Sequence, residues 1–382
     1  TSRLENAETR VSRTWHVHES ENHHIQRFYA LWHFSRLLRA APAFAERAFD
    51  DGTTAAAHHR AWTDYAAEYC RQRAMKGLFV EMANDGYGIH TLKGIYGFHD
   101  FSEDPVLSDR AGKLLDLYYA AWAQEQLNGV RGGAMSRIYP KNAMGFHGNL
   151  RHAMWFYLAL GDAVKPSNHL YTILTSSYRL PPVVMDIALT PEERGVYEIR
   201  QRKPGLAVEG FHQGPDYRLR TDRGGILRYS YCTPEFIMGM AITEARPLED
   251  WTLISSQNRW QGIVFADTPT TKIYPRCEAR NGRTTYNQSW GVQSKGTMIV
   301  QRLPKAFRRG AGPMRVWIPD AGIENRVERA PWVFAETGGA YVGIRPARHG
   351  YAWQAETRGD RHVGDWLVLE DSEVPVILEV AR

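Results

Sequence analysis

The feature that most limits what this chain can fold into is a change of hydrophobic period near residue 195. Upstream, apolar residues recur every three or four positions, the spacing of a helix with one buried face. After Ser20, an N-cap, they fall at Ile25, Phe28 and Trp32 and at Leu31, Phe34 and Leu38, with Pro42 beyond the end. A second helix is expected from about Thr54 to Val80 through Trp62, Tyr65, Ala66 and Tyr69. The third, EDPVLSDRAGKLLDLYYAAWAQEQLNG, offers Asp104 as cap and Pro105 in the first turn. It places Leu114, Leu117, Tyr118, Ala121 and Trp122 on one face and has Gly129 as its stop. Another helix is expected from near His147 to Gly161, with shorter pieces to about Leu189. Downstream, runs such as ILRYSYCT, GIVFAD, TMIVQRL, WVFAET and VPVILEVA are strand-like and separated by Gly, Pro, Asn and Asp. Helices first and strands second predict an α+β chain of two domains, 1–190 helical and 191–382 an antiparallel β-sandwich.

Composition narrows the class. Hydrophobic content of 43% and charge of 23%, with no apolar run of spanning length, predict a soluble globular protein without a membrane partner. Net charge is +5, and only nine of the 47 basic residues are Lys. Guanidinium forks suit carboxylates, which favours an acidic substrate, although a GC-rich genome gives the same bias. The basic residues form no concentrated stripe, so nucleic acid is not an expected partner. The 12 Trp and 19 Tyr suit sugar stacking and core packing alike. No GxGxxG follows a strand, and no cofactor is expected. Cys70, Cys232 and Cys277 have no metal-ligand spacing and allow at most one disulfide, Cys232–Cys277. The sequence starts at Thr1 with neither Met nor a secretion signal, which suggests a processed or cut chain.

Three polar clusters interrupt the helical half. The first is Glu21, Asn22, His23 and His24 in the opening turn of a helix, where exposed backbone N–H groups and the positive dipole end favour an anion and a neutral imidazole. His16 and His18, in the alternating stretch just before, lack ligand spacing, so no metal is expected. The second cluster, VEMANDGYGIHTLKGIYGFHDF, carries Glu81, Asp85, Tyr87, His90, Tyr96 and His99. The third, residues 128–152, reads as a long loop with Arg131, Arg137, Tyr139, Lys141, Asn142, His147 and Arg151. Arg137 and Tyr139, two apart, would point to the same side of an extended segment. In the strand half, Asn258, Arg259 and Trp260 form a polar-aromatic loop that either faces the helices across a cleft or makes a sandwich turn.

The order S-E-N-H at a helix start, then TLKGIYGFHDFSEDP, then LLDLYYAAWAQEQLNGVRGGAMSRIY, then TSSYRLPPVV resembles a bacterial family of α/α-toroid proteins joined to a β-sandwich. That family belongs with the broad set of polysaccharide lyases and related carbohydrate-active proteins. The resemblance covers about residues 15–190, and the strand half matches mainly through GGAYVGIRPA. It places Asn22 and His23 on the family's N-H pair, Tyr87 on its second motif, and Arg137 and Tyr139 on its R-x-Y pair. The chain departs at Asn84, where the family has serine, and its helical region is short for a full toroid, so an incomplete toroid is expected.

The resemblance implies β-elimination on a uronic-acid polysaccharide. His23 is the first candidate for the base, Tyr139 the second, and Tyr87 or Tyr139 protonates the leaving oxygen. Asn22 and Arg137 neutralise the substrate carboxylate. His24, Glu81, His147, Arg151, Asn258, Arg259 and Trp260 complete the expected substrate-binding set. Two rival readings remain: a glycoside hydrolase using Glu81 with Glu21 or Asp85, and a carbohydrate-binding protein without catalysis. A polymer-degrading enzyme is expected to be secreted or periplasmic.

Overall fold

The computed structural model describes residues 9–18, 20–81, 87–135, 138, 149–161, 170–203, 205–211, 215–220, 226–242, 259–266, 271–281, 284–308 and 312–382. Arg137, Tyr139, Lys141, Asn142, His147, Asn258, Asn84 and Asp85 lie outside these.

The fold is α+β, helices followed by antiparallel sheets. Four longer helices, α1 (Glu21–Ala40), α2 (Ala55–Met75), α3 (Gly88–Phe101) and α4 (Pro105–Ala123), pack pairwise around one aromatic-rich core. Local chemistry starts three of them. The side chains of Ser20, Thr54 and Asp104 accept the backbone N–H of His23, Ala57 and Leu107, each satisfying a donor that the first turn leaves unpaired. In α4 the buried stripe is Leu107, Ala111, Leu114, Leu115, Tyr118, Tyr119 and Trp122, while Leu117 is 45% exposed. Leu117 therefore lies off the stripe on which the sequence placed it. Among the described residues four shorter helices follow: α5 (Asn149–Leu158), α6 (Tyr171–Thr175), α7 (Pro182–Leu189) and α8 (Pro191–Arg194). Among the described residues no helix is long and apolar enough to cross a membrane.

The helical half also contains strands, which the sequence reading does not foresee. β1 (His16–His18) precedes α1, and a small hairpin, β2 (Gln126–Leu127) and β3 (Val130–Arg131), follows α4. Gly129 is not the stop of α4, which ends at Ala123. Asn128 and Gly129, with φ of +48° and +82°, make the two-residue turn of that hairpin, as an Asn-Gly pair favours.

The remaining strands begin at β4 (Tyr197–Lys203), close behind α8. They continue with β5 (Gly205–Phe211), β6 (Pro215–Arg220), β7 (Ile226–Cys232), β8 (Phe236–Ile242), β9 (Gly262–Phe265) and β10 (Lys272–Arg276). After a hairpin of β11 (Glu278–Asn281) and β12 (Thr284–Asn287) come β13 (Ser289–Ser294), β14 (Thr297–Arg302) and β15 (Arg315–Pro319). The last are β16 (Asn325–Arg329), β17 (Trp332–Thr337), β18 (Ala340–Pro346), β19 (Tyr351–Arg358), β20 (Arg361–Leu369) and β21 (Val376–Ala381). An eight-stranded sheet runs β19-β20-β15-β10-β9-β8-β7-β4 and a six-stranded sheet β13-β14-β21-β18-β17-β16. Their facing side chains, among them Met238, Ile263 and Val316 from the first and Val300, Val342 and Leu378 from the second, share one core. β1 joins β6 and β5 in a third sheet, with Val17 opposite Tyr217, and so ties the start of α1 to the strand half.

The other face of the eight-stranded sheet carries the residues that follow α4. A Cβ on Gly239 of β8 would lie 2.2 Å from Gly133 Cα, and one on Gly132 would lie 2.6 Å from Ile237. Backbone thus rests directly on backbone. Gly239→Ala should cost about 1–3 kcal/mol of stability, because Gly133 cannot move aside as a flexible side chain would. Equilibrium unfolding in urea checks this, and an unchanged midpoint would refute the close approach.

The Cys232–Cys277 disulfide that the sequence allows does not form, and all three cysteines are buried thiols. Cys232 ends β7 and Cys277 follows β10, three strands away in the same sheet. At about 4.8 Å per strand the separation is roughly 14 Å, twice the reach of a disulfide. Burial pushes Cys70 up to about 12 and Cys277 to about 11, which keeps both thiols protonated and inert. A reducing agent should leave the melting temperature unchanged, and a drop on reduction would reveal a crosslink.

Candidate functional site

The site is built outward from the cap of α1. Ser20 accepts the His23 backbone N–H at 3.4 Å and donates to Asn22 Oδ1 at 2.6 Å, so one hydroxyl caps the helix and fixes the Asn22 side chain. Asn22 is 4% exposed, whereas the His23 side chain faces solvent. His24 turns into the helical core: its Nε2 lies 2.9 Å from Tyr65 Oη and its ring packs 5.2 Å from Phe28. Packing accounts for His24.

Glu21 is 1% exposed, and its Oε2 accepts the backbone N–H of Glu81 at 2.8 Å. Val80 supplies a second backbone hydrogen bond. Burial pushes this carboxyl above its ordinary value, an effect opposed by the Arg73 guanidinium. Arg73 is fully buried, donates to the Thr14 carbonyl at 3.1 Å and lies 4.5 Å from the centroids of both Trp15 and Tyr69. The glutamate of S-E-N-H therefore clamps the start of the second polar cluster to the start of α1. Glu81 is itself 1% exposed. Tyr87, half-buried, precedes α3, with its ring 6.2 Å from that of His90.

The third cluster reaches the same place. Val17, Val80, Ala134, Ile226 and Ala241 form one apolar cluster, with Trp15 packed against it. Each of the first three stands just before a polar segment, so those segments leave a common junction. Met135 pairs with Trp260 through two backbone hydrogen bonds of 3.0 and 2.8 Å, and Ile138 is buried against the eight-stranded sheet. Trp260 is core, packed against Tyr274 at 5.8 Å, and Arg259 is buried, donating to the Ser289 carbonyl at 3.1 Å. Burial lowers Arg259 to about 10. Trp260 joins the halves, Arg259 ties two parts of the strand half, and neither lines an open cleft. Arg151 is 9% exposed, with Nε 3.5 Å from where a Cβ on Gly161 would stand.

Beneath the junction lies a charge network the sequence reading missed. Glu125, just past α4, accepts hydrogen bonds from Arg228 at 2.7 Å, Arg131 at 3.3 Å and the Ser230 hydroxyl. Arg228 also donates to the Ala134 carbonyl at 3.0 Å and to Gln201 at 2.9 Å. Lys203 donates to the Gly77 carbonyl at 2.8 Å, and burial together with Arg228 and Arg131 drives its amine far below the usual lysine range. One signal was available: Ile226, Arg228, Ser230 and Cys232 share a face of β7, so an arginine there sits among buried neighbours.

His16 Nδ1 lies 3.1 Å from Arg13 Nη2. Among the described residues the grouping with metal-ligand chemistry is Asp320, His362 and Asp365. There the two imidazole nitrogens already contact carboxylates at 2.6 and 3.0 Å, and Arg326 binds Asp365 at 2.6 Å. No family model matches the chain, and no curated protein or solved structure is significantly similar to it.

Proposed function

We propose that the chain is a polysaccharide lyase acting on a uronic-acid-containing polysaccharide, secreted or periplasmic, with its site at the start of α1. In this reading α1–α7 are an arc of an α/α toroid forming domain 1–190, and the two stacked sheets are a β-sandwich forming domain 191–382. The observation that carries the reading is the shared apolar cluster of Val17, Val80 and Ala134. It brings together the starts of the segments bearing Asn22–His23, Glu81–Tyr87 and Arg137–Tyr139.

The chemistry asks for three things. The proton at C5 of a uronate is barely acidic until the adjacent carboxylate is neutralised, the role given to Asn22 and Arg137. A base removes that proton, and His23, whose exposed side chain stands in the capped first turn of α1, takes this part. An acid protonates the departing 4-linked oxygen, for which Tyr87 or Tyr139 serves. A hydrolase would need two carboxylates flanking the bond. Glu21 is a poor member of such a pair, since it is buried and its oxygen accepts the Glu81 backbone N–H.

The test is incubation with alginate, glucuronan, heparan and chondroitin chains while following ultraviolet absorbance of an unsaturated product. A rising signal that His23→Ala abolishes is expected. New reducing ends without absorbance would overturn elimination and turn attention to Glu81.

A further inference from the structure

In β17 and β18 the residues Val333, Ala335, Ala340 and Val342 face the core between the sheets, so their alternates face outward. Two of those alternates are aromatic and open to solvent, Phe334 at 41% and Tyr341 at 57%. The register sets a row across four strands: Phe334 stands opposite Gly343, Gly343 opposite Glu379 of β21, and Glu379 opposite Thr297 of β14. Residues paired in this way share a face, so the row reads ring, gap, carboxylate, hydroxyl, at about 4.8 Å per strand. The gap lets the rings settle on the sheet. A Cβ on Gly343 would lie 3.0 Å from Trp332 Cζ3 and 3.4 Å from Phe334 Cε1. The Trp332 and Phe334 rings are nearly parallel, 16° apart with centroids at 5.7 Å, and the Arg345 guanidinium covers the Trp332 ring at 5.1 Å.

These rings line an open groove of about 580 Å³, a size that suits a small ligand, together with Tyr341, Glu379, Thr297 and Arg382. Its polar groups select the ligand. Among the described residues neither the Glu379 carboxylate nor the Thr297 hydroxyl has a side-chain hydrogen-bond partner, so both remain available to a ligand. Arg382, the cation of the lining, is paired with Glu235 at 2.8 Å. The groove thus offers a carboxylate without a balancing cation, which repels an anion and accepts hydrogen bonds from neutral hydroxyls. Exposed ring faces beside hydrogen-bond acceptors fit a neutral sugar, whose C–H face is apolar and whose rim is a set of O–H donors.

We infer that this groove on the outer face of the six-stranded sheet binds neutral pyranose units of a glycan, with a C–H face on Phe334 and Tyr341 and hydroxyls donating to Glu379. It does so whether or not the start of α1 catalyses elimination. Cellohexaose, mannohexaose, xylohexaose and chitohexaose are titrated calorimetrically into the unmutated full chain. None of the four carries a uronate, so turnover plays no part in the measurement. At least one should bind, and Phe334→Ala and Glu379→Ala should each weaken it about tenfold. Phe334→Trp keeps a stacking face and should retain binding, which a merely apolar contact would not require. Unchanged thermal unfolding shows that the variants fold. Hexagalacturonate should fail to compete for the groove, and competition would overturn the charge selection. The groove is overturned by a parent that binds none of the four, or by affinities that stay within twofold in both alanine variants. Self-association that Phe334→Ala abolishes and sugar leaves unchanged would also overturn it, giving the face to a second copy of the chain.

Discussion

Glu125→Ala should lower the free energy of unfolding by about 3–5 kcal/mol, the cost of stranding buried charge. Arg131 is fully buried and Arg228 is 5% exposed, and both donate to this one carboxylate. Alanine leaves two guanidinium groups side by side without their anion, in a place water does not readily enter. On the lyase reading the damage also reaches the site, since Arg228 holds the Ala134 carbonyl at the start of the segment bearing Arg137. Urea unfolding followed by tryptophan fluorescence measures the loss, and a cost below about 1 kcal/mol would contradict a buried ion network. Acid provides a second readout. Burial by itself would raise this carboxyl, but Arg228, Arg131 and the Ser230 hydroxyl outweigh it and hold the group below its ordinary value. Its stabilisation is therefore complete above the unfolded value, about 4.3, and is lost as pH falls through the lower folded value. In Glu125→Gln that acid-dependent loss should be absent, while the protein is less stable at neutral pH.

The second large effect is kinetic. If the proposed elimination holds, His23→Ala should lower turnover by about 10²–10⁴-fold, the contribution of a positioned base. Stability should change by no more than about 0.5 kcal/mol, because the side chain faces solvent. His24→Ala is the contrasting case. It deletes the contact with Tyr65 and the packing on Phe28, so about 1–2 kcal/mol of stability should go. Initial rates of absorbance and urea midpoints on both variants separate the roles. Turnover that survives His23→Ala and vanishes in a folded His24→Ala would move the base to the neighbouring histidine.

Where a rule acts within a few residues, the sequence was enough. Asp104 with Pro105 starts α4, Ser20 starts α1, and the change of period near residue 195 falls between the end of α8 at Arg194 and the start of β4 at Tyr197. Capping and periodicity depend on backbone donors and side chains one turn or one pleat apart, so they can be read without knowing the fold. The Asn128–Gly129 turn was also local, and it was misread because glycine after a helix pattern serves a stop and a hairpin equally.

The rest was decided by contacts between distant parts of the chain. Glu21 meets the Glu81 backbone across 60 residues, and Glu125 meets Arg228 across 103. No periodicity encodes those partners. A buried carboxylate is tolerated wherever folding delivers donors to it, and only the assembled fold says which donors arrive. So the sequence alone determined α1, α2 and α4, most of the strands and the residue types of the candidate site, while α3 lies in a segment that it read only as a polar cluster. The tertiary structure decided which glutamate clamps, which histidine faces solvent and which arginines are locked beneath the junction, because burial belongs to the packed whole and not to any single segment.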